Sequence, residues 1–337
     1  MRQFSVFLII CLFSFIGDLR SEDQFYDNKN ISLYVGFAPG GGYDLYARTL
    51  SRSINKYIPG KPNIIVRNMP GGGGRTLSGF VFNAAPKDGT VIAIVDCNLP
   101  LEQLIGGETL NFDMTKFTWI GNMATGNAVI VTWHTSGIKT IEDAKKREVT
   151  IGSTGSGSSR LPILLNNLFG TKFKNIGGYQ GGNDINLAME RGEVAGRHNT
   201  WESTKSTSAV FVRTRQIEIL IQVGFERELE LPDVPTIMEL TSTKEERDLV
   251  KLISAAAAFR KPFFSTPGLD ADKTRSLRRS FELALADSSL LEEAKKLDID
   301  ITITTGAVLE SLISDLFATP ASTVQTFIEK TTHIKTN

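Results

Sequence analysis

The chain is short of the residues from which metal and disulfide chemistry is built. It has 2 Cys and 3 His in 337 residues. Cys11 lies in the first apolar run, which leaves Cys97 without an intrachain partner, so the core and not a disulfide framework must hold the fold. His134, His198 and His333 stand at no metal-ligand spacing, and no H-E-x-x-H is present. Charge of one sign is not in excess either. Lys+Arg is 37 and Asp+Glu is 37, a formal net charge of +0, which argues against nucleic acid or an anionic membrane surface as partner. A G-x-S-x-G elbow and a P-loop lysine are missing, and Gly152-x-x-Gly155-x-Gly157 is not the dinucleotide fingerprint. No cofactor is implied. A serine nucleophile at Ser153 or Ser156 would have backbone amides for an oxyanion but has no evident base.

Long apolar runs are scarce beyond the start of the chain. Arg2 gives a short positive region, and residues 4–16 are mostly apolar but too few to span a bilayer as a mature helix. Small residues follow at 17–21 without an A-x-A site. Residues 1–21 are expected to be a signal peptide, and the mature protein to be exported to the periplasm and soluble. With 41% hydrophobic and 22% charged residues, the remainder suits one or two globular domains.

Two stretches read as strand, glycine loop, helix. The first is Val35-Gly36-Phe37-Ala38-Pro39-Gly40-Gly41-Gly42-Tyr43-Asp44; the second is Val149-Thr150-Ile151-Gly152-Ser153-Thr154-Gly155-Ser156-Gly157-Ser158. The first amides of a helix have no partner within it, and the helix dipole adds partial positive charge there. Glycine lets a ligand come close to those amides, so such a place binds carboxylate, phosphate or sulfate without a charged side chain. Two of them about a hundred residues apart suggest two domains facing one anion.

The coarse pattern alternates strand and helix. Strands are expected at 31–38, 63–67 and 90–95, with helices at 44–56 and 75–85. This order implies a largely parallel sheet with helices on both faces. A second block has strands at 149–152, 173–177, 194–198 and 217–223 with helices at 142–146, 159–169 and 184–191, Pro162 being tolerated in a first turn. The tail is helical around 271–286, 290–296 and 307–318. Two lobes are expected, joined by strands near 122–129 and again near 255–259, with one lobe at 24–125 plus 255–337 and the other at 126–254.

An ordered set of short motifs then carries a resemblance. Phe37-Ala38-Pro39-Gly40-Gly41-Gly42-Tyr43-Asp44, Asn68-Met69-Pro70-Gly71-Gly72-Gly73-Gly74 and Ala85-Pro86-Lys87-Asp88-Gly89-Thr90 come first. Phe117-Thr118-Trp119-Ile120-Gly121, Gly178-Tyr179-Gln180-Gly181-Gly182-Asn183, Gly192-Glu193-Val194 and Leu231-Pro232-Asp233-Val234-Pro235-Thr236 follow. Together, over residues 25–320, the chain resembles the substrate-binding receptors of tripartite tricarboxylate transporters, the Bug-type periplasmic proteins. The resemblance implies an α/β type II periplasmic-binding-protein fold, two α/β lobes with a hinge, closing on a small carboxylate. It implies capture by main-chain amides and bridging waters at Ala38, Pro39, Gly40, Gly41, Gly42, Tyr43 and Asp44 on one side, and at Ser153, Thr154, Gly155, Ser156, Gly157 and Ser158 on the other. It also implies membrane permease subunits as partners. The expectation is a monomeric receptor, not an enzyme, with no metal; a two-lobe enzyme acting on a small organic acid and a ligand-sensing subunit are the alternatives.

Other residues carry two readings each. Asp44 suits a first helical turn and can pair with Arg48 at i,i+4, or it can meet a ligand donor. Gly181 and Gly182 either line the cleft or form a plain turn. Asn199 and Trp201 follow a strand end, where α/β ligands sit, with a core or hinge role open for Trp201. Gly71–Gly74 is a third glycine-rich helix start on one lobe only. Arg160 and Arg197 either add a charged clamp or pair with acids. The Asp96-Cys97-Asn98 strand end, on the specificity side of the pocket, carries no signature of the family.

Overall fold

The computed structural model describes residues 25–106 and 110–332. The expected signal peptide, 1–21, lies outside the described residues. Among the described residues no helix is long and apolar enough to cross a membrane.

Eleven strands are described, in two sheets. β1 (Asn30–Val35), β2 (Asn63–Asn68), β3 (Val91–Ile94), β4 (Thr118–Asn122), β10 (Pro262–Ser265) and β11 (Thr304–Thr305) form the first, in the order β11-β4-β10-β3-β1-β2. β5 (Ala128–Trp133), β6 (Val149–Gly152), β7 (Phe173–Ile176), β8 (Gly196–Thr200) and β9 (Ile217–Val223) form the second, in the order β7-β6-β8-β5-β9. Each sheet is the centre of one lobe.

Side chains alternate across each strand, and both sheet faces are covered. Ile92 and Ile94 of β3 pack with Ile31, Leu33 and Val35 on one face. Val91 and Ala93 pack with Leu77, Val81 and Trp119 on the other. In β5, Ile130 joins Ile151 and Leu220 while Val129 and Val131 join Ile185 and Trp201. A strand buried on both faces reads as an unbroken apolar run, which is why 128–131 and 91–94 are apolar at every position.

The sheets are mixed where a largely parallel arrangement was expected. β1 is parallel to β2 and β3, as the β-α-β-α-β order requires. β10 is antiparallel to both β3 and β4. It is the strand on which the chain re-enters the first lobe from the second, so it arrives at the hinge end, where the neighbouring strands leave. In the second sheet β5, the entering strand, is antiparallel to β8 and β9 for the same reason.

The two crossing segments are bonded to each other. Met123 N donates to Lys261 O at 3.1 Å, Arg260 N to Ala124 O at 2.8 Å and Gly126 N to Ala257 O at 2.9 Å. Arg260, 2% exposed, adds Nε to Gly126 O at 2.7 Å. The return was expected as extended chain near 255–259. It is a short 3-10 turn, Ala255–Ala258, continuing the helix Lys244–Ser254, because four alanines cost little in helical geometry.

Three helices begin earlier than the sequence pattern suggests: Gly42–Ser51, Ser156–Phe169 and Gly182–Glu190. The early start moves Pro162 out of a first turn into the helix interior. There it cannot donate to Ser158 O, four residues back. The last helix, Ala321–Thr332, lies against Ser156–Phe169: Asn167 Nδ2 donates to Lys330 O at 2.6 Å and Phe327 is buried in the second lobe's core.

Candidate ligand-binding cleft

The strand ends of both lobes meet at one cavity of about 70 Å³, room for several water molecules. Its lining comes from both sides: Gly41, Gly42 and Tyr43 with Asp96, Cys97 and Asn98 from the first lobe, and Thr154, Ser158, Gly182, Arg197, His198 and Asn199 from the second. The lobes are in contact around it. Ala38 N donates to Gln180 O at 3.2 Å, and Asn183 Nδ2 to Gly40 O at 2.9 Å.

The first loop is shaped by Asp44. The carboxylate, 3% exposed, accepts from Gly40 N at 2.9 Å, from Arg48 Nε at 2.8 Å and from Asn68 Nδ2 at 2.9 Å. Burial works against ionisation, but the bonds from Arg48, Gly40 and Asn68 win and hold the carboxyl below the usual range. Asn68 also donates to Phe37 O at 2.9 Å, so both ends of the loop hang on one side-chain pair. The first intrahelical bond here runs from Leu45 N to Gly41 O. The amides of Gly42 and Tyr43 precede it and face the cleft end of the helix.

Tyr43 stacks on Phe37, with centroids 4.5 Å apart and planes 9° from parallel. Its hydroxyl accepts from Cys97 N at 3.1 Å, tying the helix start to the end of β3. Lys261 Nζ sits 4.5 Å from its ring centroid and 2.6 Å from Glu202 Oε1 of the second lobe; Lys261 and Glu202 are 0% and 3% exposed.

Arg197 is the positive pole. It is 7% exposed, and Nη1 donates to Gly182 O at 2.7 Å and Asn186 Oδ1 at 2.9 Å. Among the described residues no carboxylate pairs with it, and its buried Nε has no partner. Burial draws its pKa down to about 10, so it stays charged at neutral pH. The next residue, His198, also lines the cavity, its ring close to the Ser158 backbone. Burial, with Arg260 and Arg197 nearby, lowers the ring's pKa to about 3. His198 is therefore neutral, and its buried Nε2 has no partner.

The second loop uses its first amides internally. Ser153 N donates to Ile176 O at 2.9 Å and Thr154 N to Ser158 Oγ at 3.0 Å, while Ser158 Oγ donates to Gly155 O at 3.0 Å. The Ser158 hydroxyl is thus occupied within the loop. Gly155 sits against the other lobe: a Cβ there would lie 3.0 Å from Gly72 C and Gly73 N. Ser156 and Gly157 form the first turn of Ser156–Phe169.

The sequence profile for the tripartite tricarboxylate transporter family receptor matches residues 46–264. The chain belongs to that family. Solved structures agree on the fold. The periplasmic binding protein BugD superposes with a TM-score of 0.71 at 17% identity, over 90% of this chain and 98% of its own. MatC from Rhodopseudomonas palustris, with bound malate, gives 0.69 at 18%, over 88% and 99%. Another R. palustris protein, with adipate, gives 0.71 at 16%, over 90% and 97%. No curated protein sequence matches the receptor significantly.

Of the residues singled out in the sequence, Gly41, Gly42, Tyr43, Thr154, Ser158, Gly182 and Asn199 line the cavity of this receptor. Ala38 and Gly40 bridge the lobes at its rim, and Pro39 is exposed beside them. Gly181 caps its helix with a Cβ position 3.2 Å from Ala38 Cβ. Ser153 is buried in the sheet end, and Asp44 sits behind its loop. Arg160 turns to Glu102 of the first lobe, Nε to Oε1 at 3.3 Å. Trp201 is in the second lobe's core, its Nε1 2.6 Å from Glu230 Oε2. Sequence reasoning missed Ser203 and Thr200, which also line the cavity. Thr200 is the N-cap and Ser203 lies in the first turn of the helix Trp201–Thr207, whose Ser and Thr content masks its helical character.

Proposed function

We propose that this receptor captures a small carboxylate between its lobes outside the cytoplasm and passes it to permease subunits in the membrane. The observation that carries this reading is Arg197: a buried cation with no carboxylate partner among the described residues, lining a cavity between lobes beside the helix starts at Gly42 and Gly182. Burying a charge without a counter-ion is costly, and an anionic ligand supplies one. Malate and adipate in two relatives of the same fold support the class. Ala38–Asp44, Ser153–Ser158, Gly181, Gly182 and Asn199 form the proposed site, in a monomer with its hinge at 123–127 and 257–261 and lobe boundaries near 125 and 255, the last helix, Ala321–Thr332, packing back on the second lobe. The leader, residues 1–21, would direct export to the periplasm.

A thermal-shift screen of di- and tricarboxylates, aromatic acids and acidic amino acids tests the reading. A ligand at a hundred times its Kd stabilises by about 2.7 kcal/mol. At least one acid should raise the melting temperature of the wild type, and Arg197→Gln should lose that response. Absence of any acid response in protein stripped of endogenous ligand would overturn the proposal. Fractionation tests the location: full-length chain in the cytosol with the leader intact would count against export.

A further inference from the structure

The cavity that holds Arg197 also holds a carboxylate of its own. Asp96, at the end of β3, is 8% exposed and lines the cleft. Its Oδ1 accepts from Asn98 N at 2.9 Å and Asn98 Nδ2 at 2.8 Å. No described residue donates to its Oδ2. The nearest cation on its side, Lys261, is bound to Glu202. One carboxyl oxygen is thus satisfied within the protein and the other has no protein donor.

A second polar atom without a partner lines the same cavity. His198 is neutral, and its Nε2 is buried and unbonded. A neutral imidazole nitrogen serves as acceptor or donor according to its tautomer, so the sign of the request is set by Asp96. A ligand that offered only carboxylate oxygens would leave Asp96 Oδ2 unsatisfied and would bring its own negative charge beside it.

We infer that Asp96 reads a hydrogen-bond donor on the ligand, so the captured acid is one bearing a hydroxyl or ammonium group, and not a plain alkyl dicarboxylate. This rests on the carboxylate-receptor reading and narrows its substrate class. The carboxylate of the ligand lies toward Arg197 and the helix starts at Gly42 and Gly182. Its donor lies toward Asp96 Oδ2. Tyr43 sets the two ends next to each other, because its hydroxyl accepts from Cys97 N while its own amide begins the helix. Asn98 holds Asp96 in place and leaves Oδ2 for the ligand. Burial, with the charge of Glu102, raises the Asp96 pKa against the two bonds from Asn98.

The test compares acids that differ by the donor alone, by calorimetry on protein unfolded and refolded to strip endogenous ligand. The probes are succinate, malate and aspartate, and glutarate, 2-hydroxyglutarate and glutamate. The hydroxy or amino member of at least one series should bind about tenfold or more tighter than its plain partner. Asp96→Asn, which keeps shape and Oδ1, should erase most of that ratio, and erase more of it for an ammonium than for a hydroxyl because the charge is lost. A larger loss for the amino acid assigns an ammonium, and an equal modest loss assigns a hydroxyl. Equal binding across a series in the wild type, or a ratio unchanged in folded Asp96→Asn, overturns the inference and leaves the receptor reading standing. No binding by any of these or other acids overturns both.

Discussion

Arg160 and Glu102 belong to opposite lobes and meet side by side, Nε to Oε1 at 3.3 Å, with Arg75 bound to the other oxygen of the same carboxylate. Glu102 is on the helix Leu99–Leu104 that follows the Asp96 strand end, and Arg160 is on the helix Ser156–Phe169 whose first turn faces the cleft. Both side chains are buried, at 3% and 9% exposure. An arginine in this sequence position invited a role as ligand clamp. It pairs with an acid of the facing lobe, and its Nη1 also reaches Thr331 Oγ1 at 3.5 Å.

Removing Arg160 should therefore loosen closure without abolishing binding. In Arg160→Ala, Glu102 keeps Arg75, so the loss should be modest, about 1–2 kcal/mol. Glu102→Gln should cost more, because two arginines then share a neutral partner. Melting temperature gives the order, and small-angle scattering gives the shape: the radius of gyration of ligand-bound Arg160→Ala should lie above that of bound wild type. A folded Arg160→Ala that keeps the wild-type compact shape but no longer responds to any acid would mean that Arg160 touches ligand.

Asp44 tests whether a residue can govern the site from behind it. Asp44→Ala leaves Gly40 N, Arg48 and Asn68 Nδ2 without their shared acceptor. The unliganded protein should lose about 2 kcal/mol, and acid affinity should fall because the loop before Gly41 is no longer fixed. Asp44→Asn should restore part of both, since an amide oxygen still accepts from one or two of the three donors. If Asp44→Ala kept its unliganded melting temperature and lost only binding, Asp44 would be a ligand contact and not a loop anchor.

The pH response of His198 follows from its neutral burial. Its folded pKa, about 3, is below the ordinary value near 6.5. Between those values the unfolded chain binds a proton that the folded chain refuses, so this residue's contribution is present above pH 6.5 and is lost as pH falls towards 3. The slope is at most about 1.4 kcal/mol per pH unit. Asp96 acts in the opposite sense where its raised pKa lies, so the comparison must isolate His198. His198→Asn, which removes the titrating ring, should lose less melting temperature than wild type between pH 6.5 and pH 4. Parallel curves would mean that the ring titrates normally.

Much of this was legible in the sequence. Glycine-rich loops between β-branched runs and amphipathic runs mark strand, turn and helix start, and the strand positions of β1, β2, β6 and β9 follow from local pattern alone. The starts of the three cleft helices did not, because glycine is a poor helix former and local propensity pushes each start past it. Gly42, Gly182 and the Ser156 turn are helical because each is held by the facing lobe or sheet end. β10 is four residues beginning with proline, and it exists because Phe263 and Phe264 bury on opposite faces between β3 and β4. The isolation of Arg197 and the idle oxygen of Asp96 depend on what fails to come near them, which no local pattern encodes.

The glycines at the cleft separate filling the site from wedging the lobes. Gly41 has extended backbone, φ −79°, and a Cβ there would find only Gly182 N at 3.7 Å. Gly41→Ala should fold with the wild-type melting temperature and lose acid affinity by occupying the cavity. Gly42 and Gly155 differ. A Cβ on Gly42 would lie 2.7 Å from Ser203 Cβ, with Ser203 Oγ nearer still, and one on Gly155 would press on the Gly72–Gly73 backbone of the other lobe. Gly42→Ala and Gly155→Ala should therefore lose affinity by holding the lobes apart, with a larger radius of gyration in the presence of acid than bound wild type. Ser203→Gly removes the atoms that a Gly42→Ala methyl would strike, so the double variant should regain the compact shape and part of the affinity, whereas Ser203→Gly should do nothing for Gly155→Ala. Rescue of neither, or of both, would show that these glycines serve the backbone geometry of their own loops and not the approach of one lobe to the other.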